Sequence, residues 1–407
     1  MLSPVTTVSP IESGDETLQP ARPAHRRSVR SSDRWVNYFH TARRPIAVLL
    51  ATRLVALLVL DLTTRIKPGL SVRSMIQTWD SVWYLQAAQH GWPEKVPFAG
   101  GHVAQSTIAF FPAFPLAIRG TAAVTGLSYL DAGYVVELLA QAVMVVLLWK
   151  LTERIWDRQA ADRATVLFCV FPGAFIFSLL YSEPLFFVFA ILCLYALLDG
   201  QWLLAGAAAG LGTAVTPNAV VLVVCCGWAS GVAIATRREW KSLCAPVLAP
   251  AGIVAYLSYL WASTGSVRAW TNTESEAWGQ HTHLLALWNL VDFEIHNPGH
   301  IDVEVNLIGT AFVIVAFVVL ICTRPPEKAD QLGWWALLAI FSAGIVLLPV
   351  TSPLLGLRPR FVLSAFPLIM VVAYRVKNQG YLLLVGCSAV VMGALLITTV
   401  TTTSLIP

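Results

Sequence analysis

The stretch Pro45-Ile46-Ala47-Val48-Leu49-Leu50-Ala51-Thr52-Arg53-Leu54-Val55-Ala56-Leu57-Leu58-Val59-Leu60-Asp61-Leu62 decides what kind of fold the chain can have. At a rise of 1.5 Å per residue, a helix of this length reaches about 27 Å, close to the ~30 Å hydrocarbon core of a bilayer. Similar apolar blocks follow at 130–150, 164–181, 184–199, 202–217, 219–236, 243–262, 303–322, 332–350, 360–375 and 380–403. The expected fold is all-α and polytopic, a bundle of about 11 transmembrane helices. Composition agrees. Of 407 residues, 57% are hydrophobic and 12% charged, and the mean hydropathy is +0.67. A soluble domain carries about 25% charged residues. An ordinary cytosolic enzyme and a disordered or collagen-like chain are thereby excluded. No Gly-rich loop follows a strand, so no nucleotide-using domain is expected. No stretch reads as a nucleic-acid-binding face.

Two domains are expected: a disordered basic cytoplasmic tail over 1–44, and a membrane domain over 45–407. The tail is rich in Pro, Ser, Thr and Arg and has no apolar block to bury. No small-residue cleavage site follows the first block, which reads as a retained helix and not a signal peptide. Segment 110–127 is apolar but contains Pro112, Pro115 and Arg119, and reads as a re-entrant or interfacial helix. With it outside the count, 18 of the 27 Lys/Arg fall on one side of the membrane and 8 on the other. The richer side is cytoplasmic by the positive-inside rule. The N-terminus is then cytoplasmic, and the outer side carries two long loops, 63–129 and 263–302. Cys169, Cys193, Cys225, Cys226, Cys244, Cys322 and Cys387 have neither metal-site nor redox spacing and read as buried hydrophobes, with no structural disulfide.

The first outer loop holds the richest chemistry. It contains Trp79-Asp80-Ser81-Val82-Trp83-Tyr84 and, further on, His90-Gly91-Trp92-Pro93. On a helix, Asp80, Trp83 and Tyr84 share one face. A carboxylate among aromatic rings suits a sugar: the rings stack on it and the carboxylate accepts a hydroxyl proton. The same residues also fit an aromatic belt with a solvated Asp. Glu183, in the turn Tyr181-Ser182-Glu183-Pro184, is either a second carboxylate facing that loop or an acid favoured by a helix N-terminus. Arg358 and Arg360 open the tenth span and suit a lipid phosphate, or equally a snorkelling pair at the headgroups. His281, His283, His296 and His300 in the second loop read as solvated. No metal ligand set is assigned and no cofactor is certain, although a divalent metal is compatible with the loop chemistry.

Taken together, these motifs resemble the PIG-V-type mannosyltransferases. Trp79-Asp80-Ser81-Val82-Trp83-Tyr84 with His90-Gly91-Trp92-Pro93 is similar to that family's WDGxWY…GYP motif. Phe110-Phe111-Pro112-Ala113-Phe114-Pro115-Leu116, Phe171-Pro172, Tyr181-Ser182-Glu183-Pro184-Leu185-Phe186, Trp202-Leu203-Leu204-Ala205-Gly206, Trp278-Gly279 and Arg360-Phe361 follow in the family's order. Ser81 stands where the family has Gly. Thr216-Pro217-Asn218 replaces its usual TRP without the arginine, which puts in doubt any phosphate role there. The resemblance implies a GT-C-like membrane glycosyltransferase of a bacterial, actinobacterial-like type in the plasma membrane. Its donor would be polyprenyl-phosphate-mannose and its acceptor a glycolipid or glycan, joined at the outer face in an α-(1,6-)mannoside. Asp80 maps to the family's catalytic carboxylate. Trp79, Trp83, Tyr84, His90, Glu183, Arg358 and Arg360 are the candidate substrate contacts. The rival reading is a multi-span transporter or lipid flippase, which would use mid-span charges such as Arg53 and Glu137.

Overall fold

A computed structural model describes residues 31–323, 333–352, 356–402 and 405, with the side chains of 31–41 and of Trp334 left out. Its contacts fall into two units, Met1–Thr41 and Ala42–Pro407, and the site lies wholly in the second. Most of the expected tail falls outside the described residues, and the first helix, Ser31–Ile66, already begins inside it.

The protein is a helical polytopic membrane protein. Among the described residues the sole sheet is a hairpin, Phe98–Ala99 paired with His102–Val103. Among the described residues six helices are long and apolar enough to cross a membrane: Ala42–Ile66, Tyr129–Ile155, Pro217–Arg237, Trp240–Thr264, Ile301–Cys322 and Asn378–Thr401. Their apolar faces point outward. The Ile301–Cys322 helix combines a hydropathy of 2.7 with only 28% of its length buried. A surface that apolar is stable against lipid and not against water. Cys322 and Cys387 lie on such faces and are exposed, contrary to expectation, whereas Cys169, Cys193, Cys225 and Cys226 are buried.

The remaining expected spans are helical but shorter or broken. Glu183–Leu198 has 16 residues, Trp202–Val215 has 14 and Trp334–Val350 has 17. The expected span 164–181 is two pieces, Arg158–Val170 and the 3₁₀ turn Pro172–Ser178, bent by 69°. The cause is local. Pro172 has no N–H to give, and it holds Phe171 out of helical geometry, at φ −55° and ψ 144°. The tenth span likewise divides into Pro359–Ser364 and Phe366–Arg375 around Ala365. Segment 110–127 forms a 13-residue helix, Ala113–Thr125, too short to cross.

The break after Val170 accounts for a charge that looked out of place. Arg53 is 6% exposed. It donates to the carbonyls of Cys169 and Ala174 at 3.4 Å and to Ser178 Oγ at 3.1 Å. Two backbone carbonyls and one hydroxyl, all in or beside the bend, thus meet the charge where the regular helix stops. Gln141, also fully buried, donates to Phe177 O at 2.9 Å. The stapled turn then serves as a seat. Gly173 lies so close to Pro359 that a Cβ built there would overlap the Pro359 carbonyl oxygen. The residue after Pro359 is Arg360.

Gly173→Ala should therefore push the two segments apart and cost about 1–3 kcal/mol, the usual price of overpacking. Gly227→Ala, in the Val220–Arg237 helix and with open space around it, should leave stability unchanged or slightly raised. Thermal unfolding of both variants in detergent measures the difference. Equal unfolding temperatures would show that the seat is not tight.

Candidate active site

Asp80 opens the helix Asp80–His90, and the residue before it is under constraint. Trp79 holds φ +57°, a value that residues with a Cβ seldom adopt. Its indole Nε1 donates to Thr399 O at 3.0 Å, at the end of the last helix. Trp79 is thus anchored away from the site, and its anchoring fixes where the next residue starts. At the other end, Arg119 donates to Ala88 O at 2.7 Å and Ala87 O at 3.2 Å, satisfying carbonyls of the last turn. Tyr84, one turn after Asp80 on the same face, shares a 2.7 Å hydrogen bond with Ser182 Oγ. Burial, reinforced by Glu183 and Asp80, raises its phenol pKa.

Three side chains distant in the chain converge here. Arg360 Nη1 lies 2.9 Å from Asp80 Oδ2 and 3.7 Å from Glu183 Oε1. The guanidinium also sits over the rings of Phe361 and Tyr181, at 4.7 and 5.6 Å. The Asp80 backbone N–H donates to the Tyr181 hydroxyl at 3.4 Å. Glu183 opens the helix Glu183–Leu198, where the helix dipole favours an anion. Both expected alternatives for Glu183 hold together: it is the first acid of its helix and it faces Asp80 across Arg360. Burial pushes its carboxyl above the usual range, the Arg360 charge opposes this, and Asp80 adds to it. Glu183 Oε2 is buried and has no hydrogen-bond partner among the described residues.

These groups line a cavity of about 200 Å³. One water takes ~30 Å³, so the space admits a small organic group. Asp80, Tyr84, Glu183 and Arg360 form one wall. The turn Thr216-Pro217-Asn218, the point of departure from the family motif, forms another. The aromatic wall combines two loops: Phe110 meets Trp278 edge-on at 5.8 Å, and Trp83, itself outside the lining, packs on both, stacked on Phe110 at 6.0 Å and edge-on to Trp278 at 5.4 Å. The loops are also tied by hydrogen bonds. The Val103 N–H donates to Glu276 Oε2, and Gln105 Nε2 donates to Ala277 O, each at 3.4 Å.

Four expected contacts lie outside the lining: Trp79, anchored on Thr399, Trp83, packed on the lining rings, and His90 and Arg358. His90 is exposed at the far end of its helix, away from the cavity lining. Arg358 turns to Asp302, at 3.3 Å, and is 5% exposed. It pins the start of the Ile301–Cys322 helix and is not part of the cavity lining. Glu274 was not singled out from the sequence, yet it lines the cavity. Its signal was faint, one acid among several in a polar loop. Among the described residues no three His, Cys, Asp or Glu side chains cluster closely enough to hold a metal ion, and two of the three carboxyls at the cavity, those of Asp80 and Glu183, face a guanidinium.

A model of the family described as Mannosyltransferase (PIG-V) matches residues 69–236. That stretch contains Asp80, Glu183 and the Thr216–Asn218 wall, and it bears out the resemblance read from the motifs. The chain is also similar to two solved structures. One is ArnT from Cupriavidus metallidurans bound to undecaprenyl phosphate, at 12% identity and TM-score 0.47, over 82% of this chain and 61% of that one. The other is the archaeal oligosaccharyltransferase AglB from Archaeoglobus fulgidus, in complex with an inhibitory peptide and a dolichol-phosphate. It matches at 11% identity and TM-score 0.47, over 87% of this chain and 55% of that one. The chain thus spans about three fifths or less of either protein. No curated protein matches. At the coarse level, the family match supports a membrane glycosyltransferase.

Arg360→Met leaves Asp80 and Glu183 without the cation between them. Removing one partner of a buried pair typically costs about 3–5 kcal/mol. The variant should unfold at a clearly lower temperature, and adding Glu183→Gln should recover part of the loss. If the second substitution lowers stability further, the two carboxylates do not share the guanidinium as described.

Proposed function

We propose that the cavity transfers mannose from a polyprenyl-phosphate-mannose donor to a hydroxyl of a glycolipid or glycan acceptor, on the non-cytoplasmic face, forming an α-(1,6-)mannoside. The observation that carries this reading is the Asp80–Arg360–Glu183 cluster on the wall of an aromatic-lined cavity. The family description supplies the sugar.

The chemistry needs a base for the acceptor and a counter-charge for the leaving group. Arg360 engages Asp80 through Oδ2, which leaves Oδ1 for an acceptor hydroxyl. In the proposed step Oδ1 takes the hydroxyl proton as the oxygen attacks the anomeric carbon. The bond from that carbon to the phosphate oxygen breaks, and its electron pair leaves on the polyprenyl phosphate. Configuration inverts, so a β-linked donor gives an α-mannoside. Phosphate departs readily once its developing charge is met, and a guanidinium matches phosphate geometry. Arg360, held by two carboxylates and two rings, is preorganised for that task. Phe110 and Trp278 give the sugar its aromatic faces, with Trp83 packed against both. Against the transporter reading stands the role of Arg53, which is spent on the backbone of a bend and not on a path across the bundle.

Asp80→Asn should still insert and bind donor but lose transfer by about 10²–10⁴-fold, the usual worth of a general base. Membranes containing the variant, supplied with polyprenyl-phosphate-mannose, give the measurement. Near-normal turnover in Asp80→Asn together with none in Glu183→Gln would move the base to Glu183. No consumption of that donor by the wild-type protein would sink the transfer reading.

Sidedness has its own test. Glu94 and Gln159 are both exposed. With Cys322 and Cys387 replaced by Ser, a cysteine at position 94 should react with an impermeant thiol reagent in intact cells, and one at 159 should not. The opposite pattern inverts the proposed topology.

A further inference from the structure

Glu274 is the carboxyl of the cavity that the proposed chemistry leaves without a task. Asp80 and Glu183 share Arg360, whereas no ion pair involves Glu274 among the described residues. It sits on a turn of π-helix, Thr273–Ala277, directly after the short helix Ala269–Asn272. Such turns insert one residue into a helix and re-aim the side chains that follow, often at functional sites. Here the turn places Glu274 and Trp278 on the cavity wall while Glu276 is drawn to the hairpin. Behind Glu274 lies an apolar cluster containing Phe111, Tyr256 and Ala269, with Trp270 packed against it.

The groups facing Glu274 give it little support as an anion: the Trp270 indole alone favours the charge, and Arg360 on the same cavity is held by Asp80 and Glu183. The facing groups are Asp80 from across the cavity, Tyr256 from the Ala251–Thr264 helix, and the Trp270 indole. The hairpin strand packed on the same turn gives its Val103 N–H to Glu276, and His102 is exposed. Burial, and then the charge of Asp80, push the Glu274 carboxyl up to about 8, against the pull of Trp270. A carboxyl that keeps its proton is a hydrogen-bond donor as well as an acceptor. Beside it, Trp278 Nε1 is buried with no partner among the described residues. The Trp278 indole N–H and the Glu274 carboxyl thus line the same cavity.

We infer that Glu274 is a substrate-binding residue that works in its neutral form, donating a hydrogen bond to a hydroxyl oxygen of the sugar held beside Asp80. Ionised, it would set a second negative charge opposite Asp80 and lose its donor. The inference rests on the transfer reading for the identity of its ligand, but not for the protonation of Glu274.

Two measurements separate those parts. In the first, the unfolding temperatures of wild-type protein and Glu274→Gln are compared from pH 4 to 9 in detergent. The unfolded chain releases this proton near pH 4.5 and the folded protein only near 8. The wild type therefore loses stability relative to the variant as pH rises between those values, and the difference levels off above. A difference flat across this range overturns the neutral carboxyl. In the second, kcat/KM for polyprenyl-phosphate-mannose is followed against pH. The wild-type value should fall above pH ~8, and that fall should vanish in Glu274→Gln. At pH 7, Glu274→Ala should lose about tenfold and Glu274→Gln about threefold, since an amide still donates. An unchanged alkaline fall in Glu274→Gln, or equal losses in both variants, overturns the substrate contact. If the wild type transfers nothing, the transfer reading and the substrate contact fail together, while the first measurement still decides the protonation.

Discussion

One guanidinium holds this site together. Arg360 sits between Asp80 and Glu183, residues 280 and 177 positions away in the chain, at 2.9 and 3.7 Å. Two buried carboxylates facing each other without a cation would repel, and one of them would have to take up a proton. With the guanidinium between them, three segments that share no local contacts acquire a reason to meet. The aromatic rings over Arg360 complete the arrangement by covering the faces that make no hydrogen bonds.

Much of the remaining structure can be understood as support for that meeting. Proline at 172 breaks a helix, Arg53 and Gln141 satisfy the backbone around the break, and glycine at 173 lets the turn lie against Pro359. Trp79 and Arg119 do comparable work at either end of the helix that begins with Asp80. The mid-span arginine, which by itself suggested transport, is explained by the carbonyls it satisfies. A cation in the interior of a membrane protein is tolerable when its acceptors are already committed there.

The fold class was legible in the sequence because lipid imposes a simple rule: long apolar blocks must be helices. Span count was less legible. Pro172 and Pro359 were visible, but whether a proline ends a helix or opens the next depends on what packs against the freed backbone. Asp80, Tyr84, Glu183 and Arg360 were readable because residue type, helical spacing and motif order agreed on them. His90 and Arg358 were misplaced for opposite reasons. His90 lies near Asp80 in sequence but three turns along the helix, and Arg358 is two residues from Arg360 but on another side of its chain. Glu274 escaped notice because its significance comes from a π-turn and from its lack of an ion pair among the described residues, neither of which leaves a mark in composition.

The roof of the cavity is built differently from its floor. The floor residues belong to segments embedded in the bundle, each fixed by backbone packing. The roof joins a hairpin and a π-turn through two long hydrogen bonds and a patch of aromatic rings. The first loop is also tied to the Ala251–Thr264 helix, where the Tyr256 hydroxyl donates to Ile108 O at 2.8 Å and to Phe110 O at 3.2 Å. Sequence change in the roof can be absorbed by its opposite half, leaving the charge cluster undisturbed. On the proposed reaction the charge cluster carries the transfer and the roof the choice of acceptor, so the roof can drift while the cluster stays the same.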